Sequence, residues 1–308
     1  MTLQVLKFLT NILAASQFLV LAAIHAHAGD IEPRAYVNTP VGVSFLLMGY
    51  TYSKGGLSTN ALPIENAELT IKTEILGYAR SLDVWGNSGK FDVIVPYSDL
   101  SGSALLAGQP QERVVSGLHD PRFRFSVNFY GSPALSLQEF ANYKQDLLIG
   151  ASVQVSAPFG QYDSKKLINL GNNRWFIKPD IGISKAFGAI TLELSESVTF
   201  FTKNDDYFGG NTLEQKPVYT SQAHLAYDFG RGMWGALDAV YDYGGRTKVN
   251  GLWGNNVQSN SRWGATLALP VNKNNSIKLY ASTGASTRTG SDYDLGGIVW
   301  QYRWGGGL

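Results

Sequence analysis

Arg122 and Arg124 stand two residues apart in the run from Asp120 to Gly131, and a period of two puts both on one face of an extended strand. Phe123, Phe125, Val127 and Phe129 take the other face. Two neighbouring guanidiniums attract an anion or pair with carboxylates. The same parity gathers a mixed-sign set on the polar faces of the other alternating runs: Glu68, Lys72, Glu74, Arg80, Lys178, Asp180, Glu193, His224, Asp238, Asp242, Arg262, Lys278 and Arg303. Facing a wet interior, such side chains line a path and filter solutes by charge and hydrogen bonding. Paired with one another, they fill it. The near balance of signs is compatible with both.

Catalysis is poorly served by these residues. Beyond residue 28 the histidines are His119, at a loop end, and His224, on a polar strand face with Asp228 four residues on. A nucleophile needs a base within reach and a third group to orient that base, and no short motif links either histidine to a serine. The adjacent carboxylates of Asp205 and Asp206 point to opposite sides of an extended chain, which reads as a solvated loop and not a metal site. No catalytic residue, metal or cofactor is expected.

The elements that must position the charged set begin after an export signal. Lys7 is followed by an apolar segment ending near Ile24 and by Ala26-His27-Ala28, the small-residue pattern of a cleaved signal peptide. Residues 1–28 are therefore set apart from a single domain over residues 29–308. Setting Lys7 aside leaves 24 basic residues against 24 acidic ones, a balance that speaks against a nucleic-acid partner. Cysteine is absent, which rules out disulfides and thiolate metal sites. No later apolar run reaches the roughly twenty residues of a spanning helix, so a membrane form must cross with strands.

Short alternating runs fill the rest, with 34 glycines and 12% aromatics. Strands are predicted over Val41–Tyr52, Ala67–Trp85, Phe91–Tyr97, Asp120–Gly131, Leu147–Ala157, Arg174–Ala186, Ile190–Thr202, Tyr219–Phe229, Trp234–Tyr243, Arg262–Leu269, Ile277–Thr287 and Leu295–Trp304. Asn87-Ser88-Gly89 is read as a tight turn, and Leu135–Tyr143 as a short helix or compact loop. Connections after alternate strands are long and polar, and those between are tight, with the stretch after the fourth strand breaking the rule. Such segregation by end is what an up-and-down outer-membrane barrel produces, whereas a sandwich has no reason for it. Closure removes the sheet edges and pairs every backbone group, as hydrocarbon demands.

Aromatics fall near predicted strand ends, where interface girdles sit: Tyr50, Tyr52, Trp85, Tyr97, Trp175, Phe200, Tyr219, Phe229, Trp234, Tyr243, Trp263, Trp300 and Trp304. Three features resist. Pro96 and Pro179 lie inside strands and each removes a ladder donor, so a bulge or early strand end is expected at both. Glu196 falls on the apolar side of its strand, which implies a bulge or a register off by one.

Several stretches carry a family resemblance: Asp120-Pro121-Arg122 with Phe125-Ser126-Val127-Asn128, Ser156-Ala157-Pro158-Phe159-Gly160-Gln161-Tyr162, Asn169-Leu170-Gly171 with Asn173-Arg174-Trp175, Tyr243-Gly244-Gly245-Arg246, Ser259-Asn260-Ser261-Arg262, and Gln301-Tyr302-Arg303-Trp304. On these the chain resembles the exported transporter-like family named for the MetA-pathway of phenol degradation, the meta-cleavage route. The resemblance implies an outer-membrane barrel and passage of small aromatic or hydrophobic compounds. It departs from common barrels in ending Trp304-Gly305-Gly306-Gly307-Leu308 and not on an aromatic residue.

The expectation is an all-β, transmembrane up-and-down antiparallel barrel of about twelve strands in the outer membrane of a Gram-negative bacterium. It would act as a passive, non-enzymatic channel, with outer-membrane lipid, a small-molecule solute and, during biogenesis, the barrel assembly machinery as partners. The alternatives are an outer-membrane hydrolase, or a structural or adhesive barrel working through its outer loops. Whether Ser98–His119 folds inward as a constriction is open.

Overall fold

The computed structural model describes residues 31–58, 64–106 and 108–308, so the expected signal peptide lies outside it. Strands β1 (Val43–Ser58), β2 (Ile64–Val84), β3 (Asn87–Leu106), β4 (Gln109–Leu118) and β5 (Arg122–Tyr130) precede a one-turn helix α1 (Leu137–Phe140) and β6 (Leu147–Ser156). Then come β7 (Phe176–Phe187), β8 (Ile190–Phe201), β9 (Asn204–Tyr207), β10 (Asn211–Gln215), β11 (Val218–Gly230) and β12 (Met233–Gly244). The chain finishes with β13 (Thr247–Val249), β14 (Leu252–Trp253), β15 (Gln258–Pro270), β16 (Asn275–Thr287) and β17 (Gly290–Gly305).

Twelve strands close into one antiparallel barrel in the order β1, β2, β3, β5, β6, β7, β8, β11, β12, β15, β16, β17. The seam runs from Val43 against Gly305 to Ser58 against Gly290. Each backbone ladder is thereby satisfied within the wall, the condition for crossing hydrocarbon. One end carries tight turns. At the first of these Trp85 and Gly86 have φ of 53° and 83°, the type I′ geometry that matches strand twist, so the turn lies just before the predicted Asn87-Ser88-Gly89. The 131–146 connection, with α1 held by a Ser136–Glu139 capping box, sits at this end too.

The opposite end is elaborated. Residues 98–118 do not fold into the barrel: β3 continues outward and β4 pairs back on it from Tyr97 against Leu118 to Leu106 against Gln109. The loops after β8 and β12 join into a separate four-stranded sheet, β14-β13-β10-β9. By the rule of short periplasmic turns and long outer loops, this is the outer end.

Neither proline produces the expected bulge. Pro96 pairs in register with Ile75, and it sits where the neighbour of β3 changes from β5 to β4, so its missing N–H falls at a gap between two ladders. Pro179 keeps its register with Val153, and on its other side the β7–β8 register is the same before and after it. The β8 register is likewise unbroken, and Glu196 lies on the outer face, where it accepts a hydrogen bond from Ser221 Oγ at 2.8 Å. The outward aromatics follow the expected belt with one exception: Trp234 is 1% exposed inside the barrel. Trp300, Tyr302 and Trp304 stack along the outside of the last strand, with centroids 6.1 and 5.7 Å apart.

Candidate functional site: the barrel lumen

The interior is divided by chemistry. On one side β1, β2, β3 and β17 turn Phe45, Leu47, Ile71, Ile75, Ile94, Leu100 and Val299 inward as one packed apolar cluster, completed by Leu170 from an outer loop. Parity therefore has the opposite sense in β2 from that expected. Glu68, Lys72, Glu74 and Arg80 project outward, and Leu69, Ile71, Thr73 and Ile75 face in. The outward charges are tolerated because β2 is 21 residues long, about twice the nine to eleven that cross hydrocarbon. Glu74 and Lys72 stand opposite Tyr50 and Tyr52 of the aromatic belt, and Glu68 pairs with Lys54 at 2.7 Å beyond it.

The other sector is polar. Arg122, Arg124, Lys178, Asp180, Glu193, His224, Asp238, Asp242, Arg262, Lys278 and Arg303 all face the interior. Arg124 meets carboxylates: its Nε donates to Asp92 at 3.0 Å and its Nη1 to Glu32. His224 Nδ1 pairs with Asp238 at 2.7 Å, and the other Asp238 oxygen accepts from Thr266 at 3.2 Å. Arg262 donates to Ser282 and to the Tyr293 carbonyl, at 3.1 and 2.8 Å, and lies 3.7 Å over the Tyr293 ring.

Sequence reasoning missed the main occupant of this space. Residues 31–42, which carry no periodic pattern, run from the turn end into the barrel. Val41 N and Gly42 N donate to the Leu135 and Ser81 carbonyls at 2.8 and 3.1 Å. Deeper in, Asn128 Nδ2 donates to the Tyr36 carbonyl at 2.7 Å and Lys90 Nζ to the Ala35 carbonyl at 3.1 Å. Arg34 N donates to Glu193, the Arg34 guanidinium lies 5.2 Å over the Trp234 ring, and Glu32 reaches Arg124. This explains why Trp234 faces inward: it seats the segment.

The clearest fitted contact is made by Tyr36. Gly150 and Gly182 face each other across β6 and β7, and the Tyr36 ring occupies the slot they leave. A Cβ on Gly182 would lie 2.1 Å from the ring, and one on Gly150 2.4 Å. Two glycines on adjoining interior positions of a strand pair were the available sequence signal, since glycine inside a strand marks a close approach of another group.

The family stretches also find their physical reason. Asp120 accepts from Gly160 N at 2.9 Å and from Asn172 N and Nδ2 at 2.8 and 3.1 Å, so the Asp-Pro-Arg turn ties down the 157–175 loop. Burial pushes the Asp120 carboxyl above the ordinary carboxylate range against the pull of those donors. Arg174, at the foot of the same loop, lies 4.6 Å over the Phe201 ring, and burial lowers its guanidinium to about 10.

The structure does join a histidine to a serine. His119 Nε2 lies 2.7 Å from Ser98 Oγ; Ser98 is 0% exposed and is also bonded to Thr73. The described residues contain no group of three or more metal-ligating side chains.

The fold is similar to that of the COG4313 outer membrane channel from Pseudomonas putida F1, with a TM-score of 0.76 and 18% identity over 89% of this chain and 99% of that one. Lower similarities reach the β domain of the Bordetella autotransporter BrkA (TM-score 0.49, 11% identity, 86% and 100% covered) and Pseudomonas aeruginosa OpdK with vanillate (TM-score 0.34, 11% identity, 86% and 98% covered). No curated protein matches the chain. A family model described as "Putative MetA-pathway of phenol degradation" matches residues 53–301, and the chain, a closed twelve-stranded β-barrel, belongs to that family.

Proposed function

We propose that the protein is a passive outer-membrane channel for small aromatic or hydrophobic solutes, with no chemistry of its own, and that residues 31–42 narrow its path. The observation that carries this reading is the two-sided interior. A general porin lumen is polar throughout, whereas here one wall is built from Phe45, Leu47, Ile71, Ile75, Ile94 and Leu100. In the resting lumen these apolar side chains pack on one another, so a solute with an apolar body and a polar group passes by parting them, with the ordered donors and acceptors opposite for its polar group. Charges already paired in the resting lumen hold the segment and the wall in place, and are re-partnered at most transiently during passage.

The test is solute entry into vesicles containing the refolded protein, read by osmotic swelling. An aryl glucoside, too polar to cross lipid unaided, is expected to enter faster than a disaccharide of similar size. Equal rates would remove the aromatic preference, and no entry of either would remove the channel.

A further inference from the structure

Outside the lumen, a cavity of about 220 Å³ opens at the outer end, between the extended β2–β3–β4 wall and the 157–175 loop. Its apolar lining comes from Leu69, Ala104, Leu167, Ile168 and Phe208. An apolar cavity of about 150 Å³ takes one benzene ring, so this volume suits a single substituted ring. Leu69 and Ile168 also pack against the apolar cluster of the interior, so the cavity is the outer continuation of the apolar wall.

Cationic groups gather at the same place. Arg113, Lys165 and Lys166 line the cavity. Arg113 spends Nε on the Ile168 carbonyl at 3.0 Å, which pins the loop to the hairpin and fixes the guanidinium plane. Among the described residues its Nη2 is buried without a hydrogen-bond partner, so a carboxylate in the cavity reaches it by a small shift of the guanidinium or of the side chains that cover it. A buried donor left unmet costs free energy that a carboxylate in the cavity would recover through a charge-assisted bond. Among the described residues Glu112 is the one acidic member of the lining; it is exposed and stands one residue out of phase with Arg113 along β4.

We propose that this cavity is a capture site for a small aryl carboxylate, the ring held between Leu69, Ile168 and Phe208 and the carboxylate on Arg113 Nη2, with Lys165 and Lys166 drawing the anion in. Its place at the mouth of a transport path rests on the channel reading above; the binding itself does not.

Fluorine NMR of 4-fluorobenzoate with the full barrel in lipid nanodiscs, corrected against empty nanodiscs, tests it. Saturable binding is expected, with the neutral 4-fluorobenzyl alcohol roughly tenfold or more weaker because it forfeits the charge-assisted bond. Arg113→Gln should weaken the carboxylate by a similar factor, and Ala104→Phe, which fills the cavity and keeps the Arg113 guanidinium, should abolish binding. Should Arg113→Gln fail to fold, the alcohol comparison and Ala104→Phe decide. No saturable binding, equal binding of acid and alcohol, or binding unchanged in Ala104→Phe would overturn the site. Binding without solute flux in vesicles would overturn the channel and leave the site standing; flux without binding does the reverse.

Discussion

Tyr36 and Arg124 hold the N-terminal segment in the lumen by different physics, shape in one case and charge in the other. The Tyr36 ring fits a slot that exists only because Gly150 and Gly182 lack Cβ atoms. Gly182→Ala overpacks that slot at a cost of about 1–3 kcal/mol and should displace the segment while leaving the wall intact. Because the chain has no cysteine, an Ala35→Cys reporter is unambiguous, and it should react with a water-soluble maleimide faster in the Gly182→Ala background. An unchanged rate would mean that the slot does not hold the segment. Arg124 was legible in the sequence as a charge on a polar face; that it bridges Asp92 and Glu32 was not. Parity places a side chain on a face without naming its partner, and Glu32 comes from a stretch with no period at all.

Strands show where such reasoning succeeds and where it stops. Alternation located every barrel strand, and loop asymmetry gave closure and orientation, because both follow from backbone pairing in hydrocarbon. The sense of each face is a separate question. In β5 the phenylalanines face out and the arginines in, whereas in β2 the apolar residues turn inward to the Phe45 and Leu47 cluster and the charges sit outside near and beyond the tyrosine belt. A period of two cannot distinguish these cases, since both faces of an amphipathic strand find a matching environment. Substitution separates them. Phe125→Arg places a cation in the hydrocarbon band and should cost about 2–4 kcal/mol in denaturant titrations of folding into vesicles, and Glu74→Arg, on the belt, should cost about 0–1 kcal/mol. Equal costs at the two positions would undo the assigned faces. The prolines teach a related point: Pro96 sits between two partners of β3, a gap that only the three-dimensional order of strands reveals.

At the scale of the molecule, the interior is neither uniformly polar nor filled by paired charges alone. A closed wall of twelve strands surrounds an interior with one apolar and one charged side, and residues 31–42 thread between them. The segment joins the wall covalently at β1 and otherwise rests on hydrogen bonds, the Glu32–Arg124 pair, the Arg34–Trp234 contact and the glycine positions that make room for Tyr36 and Ile31. Its removal therefore leaves every strand ladder in place, which makes the lumen testable apart from the fold. Single-channel current in planar bilayers, compared between the full protein and a variant lacking residues 31–40, addresses the central claim most directly. Discrete current steps are expected from both, larger in the variant, with both forms equally folded by their heat-dependent gel mobility. A folded barrel that passes no current in either form would contradict the account.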